Sequence, residues 1–104
     1  MLSFNKLEED LGDVVFGSGK SFEIVATNNA SEAASVYMTN SSCSCTTGAI
    51  YPNPVEAYAT AVVKISFDSN KGGGRGLLSK AISATWTIAG QQHSQTFRFK
   101  VNVI

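Results

Sequence analysis

Between Ala57 and Asp68 every second residue is apolar, so Ala59, Ala61, Val63, Ile65 and Phe67 share one face of an extended chain. The same period of two returns in Phe22, Ile24 and Ala26, in Ala34, Val36 and Met38, and in Phe97, Phe99, Val101 and Val103. No stretch sustains the 3.6-residue period of an amphipathic helix. This alternation commits the chain to strands with one buried and one solvated face. Strands are expected over Lys20–Thr27, Ala34–Asn40, Ala57–Asp68, Leu77–Ala89 and Gln92–Val103, with an edge strand at Ser3–Leu7 and a short apolar stretch at Leu11–Phe16. Gly17-Ser18-Gly19 and Asn28–Ser31 read as turn and loop. Gly90-Gln91 suits a tight hairpin. Pro52 and Pro54 each lack a ladder donor, so Gly48–Glu56 reads as irregular.

Six or seven strands at short spacing describe an all-β fold, an antiparallel β-sandwich of about seven strands. Residues 11–104 form its single domain, and residues 1–10 are an N-terminal arm or edge strand. Phe22, Ile24, Val36, Val63, Ile65, Phe67, Phe97 and Phe99 are the expected core, with Trp86 beside Ala84 and Ile88.

At 104 residues the chain can bury one core without obligatory staples. Eight basic and eight acidic residues cancel. A neutral chain lacks the electrostatic footprint of a nucleic-acid binder, and near-zero net charge favours association with other subunits. Charged residues make up 15% of the chain, below the usual quarter or so. The apolar run Ala57–Val63 is too short for membrane insertion. Met1–Asp10 has no apolar leader core, which points to a protein kept in the cytosol or built into a particle there.

Candidate sites are few. Cys43 and Cys45 could supply two thiolates to a metal, with His93 the only imidazole, but a closed zinc site needs four ligands. A disulfide between them is disfavoured, because extended residues two apart lie about 6.5–7 Å apart at Cα, at the limit for bridging. The favoured reading is that the thiols act as small buried hydrophobes at a strand end. Gly17–Ser21 resembles a phosphate loop only superficially. Val14 stands where that motif needs glycine, and a strand follows where it needs a helix. No cofactor is expected. His93 lies near a hairpin tip, flanked by Gln91, Gln92, Ser94 and Gln95; a nucleophile–base pair would also need a third orienting group, and a lone histidine there reads as surface, so no catalytic residue is assigned. Gly72, Gly73, Gly74 and Arg75, in a loop between strands, and Glu8 and Glu9, in an acidic run, are candidate partner contacts.

Leu11-Gly12-Asp13-Val14, Gly19-Lys20-Ser21-Phe22, Ser42-Cys43-Ser44-Cys45-Thr46-Thr47, Val63–Ser69 and Gly76–Ile82 occur in that order. Together they resemble the bacterial DUF1573 domain, related to the ASPM–SPD-2–Hydin and major-sperm-protein group, over roughly residues 10–104. The resemblance implies an immunoglobulin-like sandwich with a scaffold or adhesion role and no catalysis. Many such domains are exported. The absence of a leader shifts the expectation toward a virion, as an accessory or decoration subunit of a phage capsid, neck or tail. The alternative is a periplasmic or cell-surface binding domain whose leader has been removed. Partners are then other protein subunits, in homo- or hetero-oligomeric contact.

Overall fold

The computed structural model describes residues 2–39, 45–71 and 74–104. Its strands are β1 (Leu2–Phe4), β2 (Glu8–Val14), β3 (Gly19–Asn28), β4 (Ser35–Thr39), β5 (Thr46–Tyr51), β6 (Thr60–Asp68), β7 (Gly76–Ile88) and β8 (Gln91–Val103). They form two four-stranded sheets, in the orders β1-β3-β6-β5 and β2-β8-β7-β4. The first sheet is antiparallel throughout. In the second, β2 runs parallel to β8.

The alternation explains the core. Ile24, Val63, Ile65 and Phe67 of the first sheet and Ile82, Phe97, Phe99 and Val101 of the second are buried, facing one another between the sheets. Edge-to-face ring contacts knit the layers together, Phe99 meeting both Phe22 and Phe67 at centroid distances of 5.8 and 5.9 Å. Such pairs add about 0.5–1.5 kcal/mol each beyond their buried area. The β7–β8 hairpin turns on Ala89 and Gly90, with φ of 52° and 79°. Two positive φ values define the I′ turn whose twist matches that of its strands. The turn therefore sits one residue earlier than the sequence suggests.

Strand boundaries and the reading of Cys45 are corrected. Thr46–Tyr51 forms strand β5, pairing with β6 from Thr46↔Phe67 to Tyr51↔Val62, where irregular chain was expected from Gly48 onward. Pro52 ends this strand rather than preventing it. Gly48 belongs inside it because a Cβ there would stand 2.9 Å from Ile82 Cδ1 and from Met38 Cε. At the start of β6, Ala57 and Tyr58 lie in a turn, and the strand begins at Thr60.

The opening segment is tied into the sandwich, with its first strand at Leu2–Phe4. Leu2 is buried, and the Phe4 ring packs edge-on against Phe97 at 4.9 Å and Trp86 at 5.6 Å. After Phe4 the chain crosses from the first sheet to the second, so residues 2–10 contribute an edge strand to each. Cys45 is buried and disulfide-bonded, which corrects the expectation of a buried thiol there. Its sulfur is therefore neither a free thiol nor a thiolate ligand. Cys45 lies in a turn before β5, not in extended chain. Cys43, the chain's other cysteine, lies outside the described residues.

Candidate interaction surfaces

Two flat outer faces and the sheet edges are the surfaces this architecture offers. On the outer face of the first sheet, register places Val25 opposite Val62, and Val62 opposite Tyr51. All three are exposed, at 41%, 39% and 81%. They make an apolar row across three adjacent strands. The next rung holds Glu23, Lys64 and Ala49, so the row is bordered by charge. Tyr58, also exposed, stands near the start of β6 with a positive φ of 59°.

The outer face of the second sheet is divided differently. Its lower half carries Glu8 beside Arg98 and Asp10 beside Lys100. These residues, with Glu9, Ser79 and Phe99, line an open concavity. The bulge between Asp10 and Asp13 sits here, and Asp10 Oδ1 accepts from the Gly12 amide at 2.9 Å. Its upper half is neutral. The rungs read Ser35–Thr87–Gln92 and Tyr37–Thr85–Ser94 across β4, β7 and β8, followed by Ser83–Thr96 across β7 and β8.

The edges are blunted by asparagine side chains. Beyond β1, the Asn5 backbone N–H donates to the Val25 carbonyl at 3.1 Å, and Asn5 Oδ1 accepts from the Val25 N–H at 2.8 Å. On the β4 edge, Asn53 Nδ2 donates to the Val36 carbonyl at 2.6 Å, and Asn53 Oδ1 accepts from the Val36 N–H at 3.1 Å. In both places an Asn occupies the backbone groups that an added strand would need. Lys20 Nζ reaches the Leu11 carbonyl at 2.7 Å, bridging β3 to β2 where the first sheet's edge lies open.

Asn28 organises the loops at one end. It is fully buried, and its Nδ2 donates to the carbonyls of Glu32, Val55 and Glu56 at 2.9, 3.0 and 3.2 Å. Its Oδ1 accepts from the Ala30 amide at 2.9 Å. The sequence reads this residue only as the start of a loop, since nothing local distinguishes a buried Asn from a turn Asn.

The expected site residues are scattered. His93 is half-buried and its ring stacks on Trp86 at 5.9 Å and 28°. The Trp86 indole N–H is buried without a hydrogen-bond partner. Arg75 places its guanidinium 4.4 Å from the Phe16 ring centroid, and Gly74 is exposed with φ of 77°. Glu9 is ion-paired with Lys6 at 2.6 Å, while Glu8 is exposed on β2. Gly72 and Gly73 lie outside the described residues. Among the described residues no three His, Cys, Asp or Glu side chains are grouped to hold a metal, and no helix is long and apolar enough to cross a membrane. Gly17-Ser18-Gly19 leads directly into β3, not into a helix.

The two sheets, with the opening segment shared between them, define an immunoglobulin-like β-sandwich. A solved ASH / PapD-like domain of human CEP192 (PapD-like domain 7) superimposes with a TM-score of 0.77 at 10% identity, covering 99% of this chain and 84% of that one. The chain belongs to the family described as "Protein of unknown function (DUF1573)", whose sequence model matches residues 2–103. A family 123 glycoside hydrolase from Clostridium perfringens, solved in a study of glycolipid glycan hydrolysis, matches with a TM-score of 0.57 at 12% identity. That match covers 91% of this chain but only 23% of the hydrolase, so it concerns one part of a much larger enzyme. At these identities both likenesses speak to the fold alone. No curated protein matches the chain.

Proposed function

We propose that this domain is a non-enzymatic contact module that binds a partner protein through the outer face of its first sheet. The observation carrying this reading is the exposed row Val25–Val62–Tyr51, which crosses three strands in register. Protein contacts are centred on apolar and aromatic anchors with a polar rim, and Glu23 and Lys64 on the next rung supply such a rim. Strand addition is the rival mode, but at Val25 and Val36 it must first displace Asn5 and Asn53. Zero net charge supports association into a larger assembly.

The disulfide at Cys45 supports an oxidising setting. A virion accessory subunit and a periplasmic or cell-surface module both meet that condition. The test of the contact role is quantitative capture from the native source using wild type, Val62→Glu and Arg98→Glu. A partner held by wild type and by Arg98→Glu, but weakened about tenfold or more by Val62→Glu, is the expected result for a central anchor. Equal retention by wild type and Val62→Glu would overturn the assignment.

A further inference from the structure

The upper outer face of the second sheet is made of rungs that bring together residues far apart in the chain. Ser35, Thr87 and Gln92 form the first, Tyr37, Thr85 and Ser94 the second, and Ser83 and Thr96 continue the face below them. Every position carries a hydroxyl or an amide, and none carries a charge. The lower half of this same face instead sets opposite charges side by side, Glu8 beside Arg98 and Asp10 beside Lys100, across the parallel β2–β8 pair. The neutral half is therefore a distinct surface.

It also has relief. Tyr37, Thr85, Gln92, His93 and Ser94 line an open concavity, and the Tyr37 side chain is 56% exposed at its margin. Gln92 Nε2 reaches the Tyr37 hydroxyl only at 3.3 Å, a long contact that leaves further hydrogen-bonding capacity at both groups. Ser83 Oγ and Thr96 Oγ1, 3.0 Å apart, fix the floor one rung below.

We infer that this concavity binds a neutral glycan, with Tyr37 as the stacking platform and Gln92, Thr85 and Ser94 as the hydrogen-bonding groups. The complementarity is one of charge as well as shape. An anionic ligand would need a cation here and a cationic one a carboxylate, and the rungs provide neither. A protein partner would favour a cluster of apolar anchors, whereas Tyr37 stands alone among hydroxyls. A sugar ring presents an apolar C–H face for an aromatic side chain and a rim of hydroxyls that both donate and accept, as Ser, Thr and Gln do. The site lies on the opposite face from the Val25–Val62–Tyr51 row and does not depend on the protein-contact reading.

The test is a titration of the isotope-labelled full chain with cellohexaose, maltohexaose and chitin hexaose, followed by amide chemical shifts. Saccharide should be raised to about 10 mM so that millimolar binding is seen. With at least one of them, shifts confined to β4 and to the facing parts of β7 and β8 are expected. Tyr37→Ala should weaken that binding by about tenfold through loss of the stacking surface. Thr85→Lys, at the centre of the grid, should abolish it, and Ser94→Lys at its rim should do the same should Thr85→Lys disturb the fold. Val62→Glu should leave it unchanged. Absence of shifts with all of these saccharides would overturn the proposal, as would shifts insensitive to Thr85→Lys and Ser94→Lys. So would saccharide-independent, concentration-dependent shifts at the same amides, which would mark the face as a contact between copies of the chain.

Discussion

Replacing Asn28 with alanine tests how the loops at one end of the sandwich are held. The side chain makes hydrogen bonds to Glu32, Val55, Glu56 and Ala30, all at 2.9–3.2 Å, in a fully buried position. At about 1 kcal/mol net for each, Asn28→Ala should cost roughly 3–4 kcal/mol. Val55 limits the damage, because its carbonyl also accepts from the Ala34 amide at 2.9 Å. Small domains have about 5–15 kcal/mol of stability in total, so the loss should be plain. The assay is urea unfolding followed by the fluorescence of Trp86, the chain's one tryptophan. The midpoint should fall without a change of slope, since the exposed surface is the same. Asn28→Asp adds a signed test. Its buried carboxylate would face three carbonyl oxygens, raising its folded-state pKa above the unfolded value. The variant should therefore fall below Asn28→Ala in stability near neutral pH and recover as the pH drops and the carboxyl becomes a donor. A loss below about 1 kcal/mol for Asn28→Ala, or no pH dependence for Asn28→Asp, would refute the hydrogen-bond reasoning.

Other substitutions probe the remaining local arguments. Asn53→Ala removes two hydrogen bonds to Val36 and should cost about 1–2 kcal/mol. It should also raise concentration-dependent association by opening the β4 edge, which sedimentation velocity would detect. Gly19→Ala places a Cβ 2.8 Å from the Phe67 carbonyl oxygen, a backbone atom that cannot turn aside, and should lower stability by about 1–3 kcal/mol. Gly48→Ala should cost less, because the atoms it meets at 2.9 Å are the far ends of Ile82 and Met38; thermal melts of the two variants give the order directly. Trp86→Phe removes the unpartnered indole N–H, and that relief should offset part of the lost packing. Its destabilisation, read by circular dichroism, should stay below the roughly 3–5 kcal/mol of a Trp→Ala change.

The strands were legible because a period of two runs unbroken through β3, β6 and β8, and its apolar members are the buried ones. β5 was not, because its Gly48 and the following Pro52 carry the signs of a loop. Its strand character comes from pairing with β6 and from the space that Met38 and Ile82 leave at Gly48. Asn5, Asn28 and Asn53 look alike in sequence. Their separate tasks, closing an edge at Val25, anchoring loops and closing an edge at Val36, depend on backbone groups brought near by the fold. The surfaces were hidden for a related reason. Val25, Tyr51 and Val62 become one row, and Ser35, Thr87 and Gln92 one rung, only when strand register is known. The disulfide at Cys45 was not legible because alternation in the preceding strand suggests extended chain, whereas Cys45 itself lies in a turn.

The most direct test of the contact role is site-specific photocrosslinking in the native source, with the reactive group placed in turn at Tyr51, Val62 and Ser94. The account predicts one defined protein adduct from Tyr51 and Val62 and none from Ser94, on the opposite face. Adducts from Ser94 alone, or the same unselective set from all of these positions, would contradict it.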